Sequence, residues 1–318
     1  MPIPVSRRLD FSEIPLIDLG GLVAGTADPE TITALDRACT DVGFFYIKNH
    51  GVAPHLVDEV AGHAARFFAR PRNEKQAIRV NSRMRGYLPL DYVSLVGEPG
   101  GGVSSQEGFF TGSERPAVAA NPLDGPNVWP EGEPGLAPAM RALMAALAMP
   151  ANALLRGFAL ALGRAADFFD PMFAAPQSLL KLNHYPPQPP PERESEIGVV
   201  GHSDFGGFTI LWQDDNGGLE VQSKNGDWVG APPIPDTFVI NLGNVMQIWT
   251  NGRFSSTPHR VINRSGNDRY SIPLFVNPNY DVPVAPLDGE AGAEPAPRFA
   301  EYQIDVWRRV FPVAFTER

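Results

Sequence analysis

The stretch from Gly201 to Gln213, "GHSDFGGFTILWQ", sets a serine between a histidine and an aspartate. These residue types serve nucleophilic hydrolysis, metal ligation, or merely a polar turn before a strand. On an extended strand, neighbouring side chains point to opposite faces. Ser203 therefore turns away from His202 and Asp204, and a relay through all three cannot form. The nucleophile elbow G-x-S-x-G is also missing, because Phe205 stands where its last glycine belongs. The same alternation puts His202 and Asp204 on one face, as two ligands that need a third.

Six histidines are available: His50, His55, His63, His184, His202 and His259. His50 and His55 flank a turn, His63 lies on an expected helix, and His184 alternates away from Asn183 and Tyr185. His259 opens a later β run, "STPHRVIN", and strand pairing would bring it beside His202. Two histidines and a carboxylate on one face leave three positions open, the ligand set of non-haem Fe(II) oxygenases. A single histidine is more often structural, so its company decides. Ten residues later, Arg269 and Ser271 share a strand face and form a fork for a carboxylate. Upstream, Lys181, Asn183 and Tyr185 also alternate onto one face. Three apolar-rich segments thus each present polar groups with period two. Burying so many is costly unless they are paired or ligated, which points to a lined cavity.

These groups need a scaffold. The chain has 318 residues, 43% apolar and 19% charged, which suits a soluble globular protein with a substantial core. With 31 glycines and 33 prolines, many turns and short strands are expected. A net charge of −10 argues against nucleic-acid and anionic-membrane partners, which favour basic surfaces. The single cysteine, Cys39, cannot form an internal disulfide and reads as buried, so a reducing, cytoplasmic setting is expected. No secretory h-region opens the chain and no run of eighteen apolar residues occurs, so no membrane span is expected.

"IPLIDLGGL" from Ile14 reads as a strand, and Asp28–Pro29–Glu30 as a helix start. "GFFYIKNHG" from Gly43 reads as a strand, followed by a helix with Leu56, Val60 and Ala64 on one face. The basic stretch "PRNEKQAIRVNSRMRGY" reads as a solvated helix and loop. Gly135 to Gly163 is strongly helical, with Pro150 expected to divide or kink it. From about residue 178, short β runs alternate with hairpin turns such as "DDNGG" and "KNGDW", as in a β sandwich or barrel. "RFAEYQIDVWRRVF" reads as a closing amphipathic helix. The expected fold is mainly β with flanking helices (α+β). A mixed, helical region (1–177) is expected to pack on a β core (178–318) as one compact unit.

In this order and spacing the motifs resemble the 2-oxoglutarate/Fe(II)-dependent dioxygenases of the isopenicillin N synthase-like family. They are "IPLIDL", "DVGFFYIKNHGV", "RGY", "LNHYPP", "GHSDFGGFTILWQDDNGGLEV", "INLGNVMQIWTNGRFSSTPHRV" and "RYS". The resemblance implies a double-stranded β-helix, or jelly-roll, core. It implies that His202, Asp204 and His259 hold Fe(II). Arg269, Ser271 and Tyr185 would bind the distal carboxylate of 2-oxoglutarate, with Asn183 near its metal-proximal end. Lys181 and Phe275 match positions that line the substrate pocket in related enzymes, and Lys181 suggests a carboxylate or polar group on the substrate. Phe109, Phe110 and Phe205 are candidates for an apolar wall, and Tyr87 and Tyr92 for the pocket mouth. The implied reaction oxidises a C–H bond of a small molecule, hydroxylation being the default, while 2-oxoglutarate and O2 become succinate and CO2. Two alternatives stay open: an Fe(II) oxidase of the same fold that does not use 2-oxoglutarate, and a non-catalytic binding protein.

Overall fold

The structure is a computed structural model that describes residues 14–90, 93–94, 102–103, 105–117, 120–187, 197–289 and 295–316. In chain order the strands are β1 (Leu16–Asp18), β2 (Phe44–Lys48), β3 (Gly86–Leu88), β4 (Val93–Ser94), β5 (Gly102–Val103), β6 (Glu107–Gly112) and β7 (Leu179–Tyr185). They continue with β8 (Val199–His202), β9 (Phe208–Gln213), β10 (Leu219–Gln222), β11 (Trp228–Gly230), β12 (Phe238–Leu242), β13 (His259–Val261) and β14 (Arg269–Val276). The helices are α1 (Gly20–Val23), α2 (Pro29–Asp41), α3 (Pro54–Phe68), α4 (Arg72–Ala77), α5 (Leu136–Ala161), α6 (Asn244–Trp249) and α7 (Phe299–Val310).

An eight-stranded sheet runs β1-β2-β12-β9-β14-β7-β6-β3, and a four-stranded sheet runs β11-β10-β13-β8. Apart from the parallel pair β1 and β2, the pairings within these sheets are antiparallel. The two sheets form the jelly-roll sandwich. Strands from both halves of the chain share the large sheet.

The faces of the large sheet differ in what they bury. Its outer face and the helices enclose the main apolar core, which includes Leu35, Val60, Phe67, Leu143, Phe158, Ile210 and Leu274. Between the sheets lies a smaller cluster around Tyr46, Tyr185, Leu219, Val221, Val239 and Val261. The rest of that inner space is a cavity.

Local chemistry explains the start of α2. The Asp28 side chain accepts from the backbone N–H groups of Glu30 and Thr31, and Pro29 opens α2 without losing a donor. The alternating runs from residue 178 onward all form strands. Elsewhere the outcome differs from expectation. The first strand is only Leu16–Asp18, because Gly20–Val23 winds into a short helix. Pro150 lies inside α5 and does not divide it. Helix α5 packs its apolar surface on α1, α2 and α3, and that burial outweighs the lost backbone hydrogen bond. By length and composition α5 could cross a membrane, yet 56% of its apolar window is buried within the fold. The basic stretch after α3 is not wholly solvated either. Lys75 and Arg85 are buried, Lys75 because it has a carboxylate partner.

Candidate active site

His202 ends β8 and His259 begins β13, and the two are paired residues of neighbouring antiparallel strands. Their ring centroids lie 4.3 Å apart. Asp204 reaches them differently from the alternation argument. Strand β8 stops at His202, so Asp204 lies beyond the regular pleat. Its backbone is anchored by the Asn244 N–H, which donates to the Asp204 carbonyl at 2.8 Å. Its carboxylate is aimed by two neutral donors, Thr209 Oγ1 at 2.5 Å and Asn241 Nδ2 at 2.7 Å, both on Oδ2. Oδ1 faces the histidines, 3.8 Å from His202 Nε2 and 3.9 Å from His259 Nε2. The glycines that follow give the chain room for this turn. A Cβ on Gly206 would run into Asn277 Oδ1, and one on Gly207 would lie 2.7 Å from the Val276 carbonyl.

The tautomers follow from the partners. His202 Nδ1 lies 2.9 Å from the Val200 carbonyl, and His259 Nδ1 lies 3.4 Å from that of Thr257. A carbonyl only accepts, so each Nδ1 carries the proton and each Nε2 presents a lone pair. Among the described residues these three form the one group of three or more His, Cys, Asp or Glu whose ligand atoms cluster, all within 4.8 Å of one another. Burial and the neighbouring His202 push His259 down to about 4. Burial pushes Asp204 up, but His259, His202, Thr209 and Asn241 together hold it below the ordinary carboxylate value. A His259 imidazole held neutral and an Asp204 carboxylate held ionised are the protonation states that a metal needs of these ligands.

The inner cavity holds these groups and has a volume of about 160 Å³. Along one side, β14 contributes Arg269 and Ser271, and β7 contributes Tyr185 and Asn183, with Ser271 and Asn183 directly paired. Arg269 is 1% exposed, and no ion pair is found for it among the described residues. Nε donates to the Gly217 carbonyl and Nη2 to Gln213 Oε1 at 3.1 Å, while Nη1 has no hydrogen-bond partner among the described residues. The guanidinium lies 4.7 Å over the Tyr185 ring. Burial raises the Tyr185 phenol above its ordinary value, opposed by the neighbouring Arg269 charge. A buried guanidinium with an open donor is suited to an incoming carboxylate. Asn183 is already engaged, accepting from Gln106 Nε2 and donating to Ser271 Oγ at 3.2 Å.

Farther along the same strands Lys181 and Phe275 also line the cavity, joined by Phe110 from β6 and Phe205 from the turn after β8. Two other aromatic candidates do not. Phe109 alternates outward to pack on Phe67 and Trp129. Tyr87 is buried with its hydroxyl donating to Glu107 Oε2 at 2.5 Å. Tyr92 lies outside the described residues.

Several lining residues escaped the sequence reading. Thr209 had a usable signal, since it shares its face with Leu211 and Gln213. Asn241 is the polar residue in the apolar run "FVINL". Gln303, Trp307, Val310 and Phe311 reach the cavity from α7 and the residue after it. Gln303, Trp307 and Val310 recur at helical spacing on one face, and a glutamine on an apolar stripe was the clue.

A jelly-roll sandwich with this His–Asp–His cluster in its cavity is the pattern of a non-haem iron oxygenase. The chain belongs to the 2-oxoglutarate–Fe(II) oxygenase superfamily. That family model matches residues 176–278, and a model for the N-terminal part of non-haem dioxygenases in morphine synthesis matches residues 14–132. A homoarginine-6-hydroxylase of Oryza sativa subsp. japonica is 34% identical over 296 residues, covering 88% of this chain and 90% of that protein. A 2-oxoglutarate-dependent dioxygenase of Monascus ruber is 35% identical over 304 residues, covering 90% and 91%. Among solved structures, JOX2 in complex with 2-oxoglutarate, iron and JA superposes with a TM-score of 0.79 at 29% identity, covering 97% of this chain and 88% of that one. A full-length Neurospora crassa protein in complex with α-ketoglutarate superposes with a TM-score of 0.78 at 27% identity, covering 92% and 95%. The protein is a 2-oxoglutarate-dependent dioxygenase whose cofactor is Fe(II).

Proposed function

We propose that the enzyme hydroxylates a C–H bond of a small molecule, with His202, Asp204 and His259 holding the iron. Arg269, Ser271 and Tyr185 bind the distal carboxylate of 2-oxoglutarate, and Asn183 orients Ser271 from beside it. The observation that carries this reading is the division of labour at Asp204. One oxygen is fixed by Thr209 and Asn241, while the other faces both imidazole lone pairs. The same cavity is lined by Arg269, whose Nη1 has no hydrogen-bond partner among the described residues.

When bound, Fe(II) with 2-oxoglutarate supplies the O2 chemistry, in which the keto acid becomes succinate and CO2 as the substrate gains a hydroxyl. The chain supplies geometry. The carbonyls of Val200 and Thr257 hold the imidazoles in one tautomer and orientation. Arg269, braced by Gly217 and Gln213, keeps one donor free to fix the cosubstrate along the β14 edge. Phe110, Phe275, Trp307 and Phe311 exclude water from the substrate side. The names of related proteins and structures mention homoarginine, thymine and JA, which supports a small-molecule substrate. The acidic net charge and single buried Cys39 support a cytoplasmic enzyme without nucleic-acid or membrane partners.

The test is succinate release in air from protein, Fe(II) and 2-oxoglutarate, with a metabolite mixture as substrate source. Succinate formed together with a product heavier by one oxygen is expected. Oxygen uptake without succinate would instead indicate the oxidase that spares 2-oxoglutarate. Neither signal would leave the non-catalytic binding protein.

A further inference from the structure

Strand β7 sets Tyr185, Asn183, Lys181 and Leu179 in sequence along the cavity wall. The first two lie beside Arg269 and Ser271. Lys181 stands four residues from Tyr185, about 13 Å along the strand at roughly 3.3 Å per residue. The far end of the cavity therefore has a cation of its own.

The Lys181 ammonium is buried, and the described residues give it no hydrogen bond and no ion pair. It lies 4.9 Å from the ring of Phe110, its cross-strand partner on β6. Gly108 makes room for it, since a Cβ there would lie 2.8 Å from Lys181 Cε. Among the described lining residues Asp204 is the sole carboxylate. Its oxygens are taken, one by Thr209 and Asn241 and the other by the point between the histidines. Burial pushes the Lys181 ammonium down to about 7, and the Asp204 charge opposes this only in part. An unpaired buried cation is unfavourable. Arg269 is such a cation too, but the distal carboxylate of 2-oxoglutarate answers it. None of the described residues pairs with Lys181, and the keto-acid end of the cosubstrate would be taken up at the metal rather than at this lysine. Phe110 lies beside it and Phe311 packs on Phe110, while Phe275, Trp307 and Val310, with the polar Gln303 among them, line the same cavity.

We infer that the substrate is a small apolar carboxylic acid, its carboxylate paired with Lys181 and its hydrocarbon body against Phe110, Phe275, Trp307 and Phe311. This rests on the oxygenase reading, because the cosubstrate must occupy Arg269 for Lys181 to be the remaining cation. One buried charge matches a monoanion. A cationic group in this part of the cavity meets Lys181 and, among the described lining residues, finds no carboxylate except Asp204.

The experiment is calorimetric titration without oxygen of the enzyme loaded with Fe(II) and saturating 2-oxoglutarate. The probes are phenylacetate, 4-phenylbutyrate and indole-3-acetate, each with its primary amide and the amine of matching length. The visible charge-transfer band of the Fe(II)–2-oxoglutarate complex is read in the same samples. At least one acid should bind more than about tenfold tighter than its amide, the scale of a hydrogen bond to a charged group. Lys181→Met and Lys181→Gln should abolish that preference, and Lys181→Arg should restore part of it. With the band present, preference for amides or amines, an acid preference that survives in both neutral variants, or no acid binding at millimolar concentration overturns the substrate class alone. Absence of the band from the wild-type enzyme overturns the oxygenase reading and this inference with it.

Discussion

Lys75 and Lys181 are each 7% exposed, and each lies over an aromatic ring. They are nonetheless opposite cases. Lys75 Nζ donates to Glu107 Oε2 at 2.7 Å and to the Phe68 carbonyl at 2.8 Å. Glu107 also accepts from Tyr87 and pairs with His184 Nδ1 at 2.8 Å, and His184 Nε2 reaches Asp268 at 2.7 Å. Burial pushes the Glu107 carboxyl up, but hydrogen bonds from His184, Lys75 and Tyr87 hold it below its usual value. This network backs the outer face of β7. Lys181 sits on the inner face of the same strand without a partner among the described residues. Burial is equal, so burial cannot separate a structural charge from one kept for a ligand; satisfaction of its hydrogen bonds does.

Substitutions at the two sites should diverge, and the largest effect falls on the satisfied one. Lys75→Met leaves Glu107 buried without its cation and should destabilise the fold by about 3–5 kcal/mol, measured by urea unfolding. A loss within error of zero would erase the contrast. Next comes the inner face, where Arg269→Lys should raise KM for 2-oxoglutarate about 10–100-fold, since a charge-assisted bond contributes about 1.5–3 kcal/mol. Its unfolding midpoint should hardly move, whereas a large stability loss would make Arg269 a structural charge like Lys75.

A smaller effect, of opposite sign, is expected at Lys181. Lys181→Met should stabilise the ligand-free fold by about 1–2 kcal/mol at neutral pH, as relief of functional strain commonly does. The sign follows from linkage. The folded value of about 7 lies below the unfolded value of about 10.4. Between these limits the unfolded chain binds the extra proton, so wild-type stability should rise with pH. The Met variant should lack that rise, and urea unfolding at a series of pH values between the limits reads it directly. Smallest is Thr209→Val, which removes one brace from Asp204 and should weaken Fe(II) binding about tenfold, the low end for such partners of a metal ligand. Metal titration with unchanged affinity would show that Asn241 alone aims the carboxylate.

How much of this was legible depended on the range of the interaction. Alternation within single strands marked Lys181, Asn183 and Tyr185, and Arg269 with Ser271, because a two-residue period needs no tertiary knowledge. His202 and His259 are farther apart in sequence than Lys75 and Glu107, so the β run at His259 and the need for a third ligand made their pairing only allowable, and the fold supplies it. Alternation does not extend to Asp204, since β8 ends before it and hydrogen bonds from Thr209 and Asn241 do the aiming. Lys75 was invisible as a buried group because its partner Glu107 is 32 positions away on an element it does not neighbour in sequence. Tyr87 was misassigned for the same reason. The contribution of α7 depended on a helix folding back over the mouth of the sandwich, which periodicity alone does not announce. Pro150 was read from local sterics, and the packing of α5 overrode them.

The most direct test of the assignment of His202, Asp204 and His259 is the visible charge-transfer band formed without oxygen when Fe(II) and 2-oxoglutarate are added together. Wild-type protein should develop the band only with both components, and Asp204→Ala should not develop it at all. A wild-type sample without the band, or an Asp204→Ala sample that keeps it at full strength, would contradict the account.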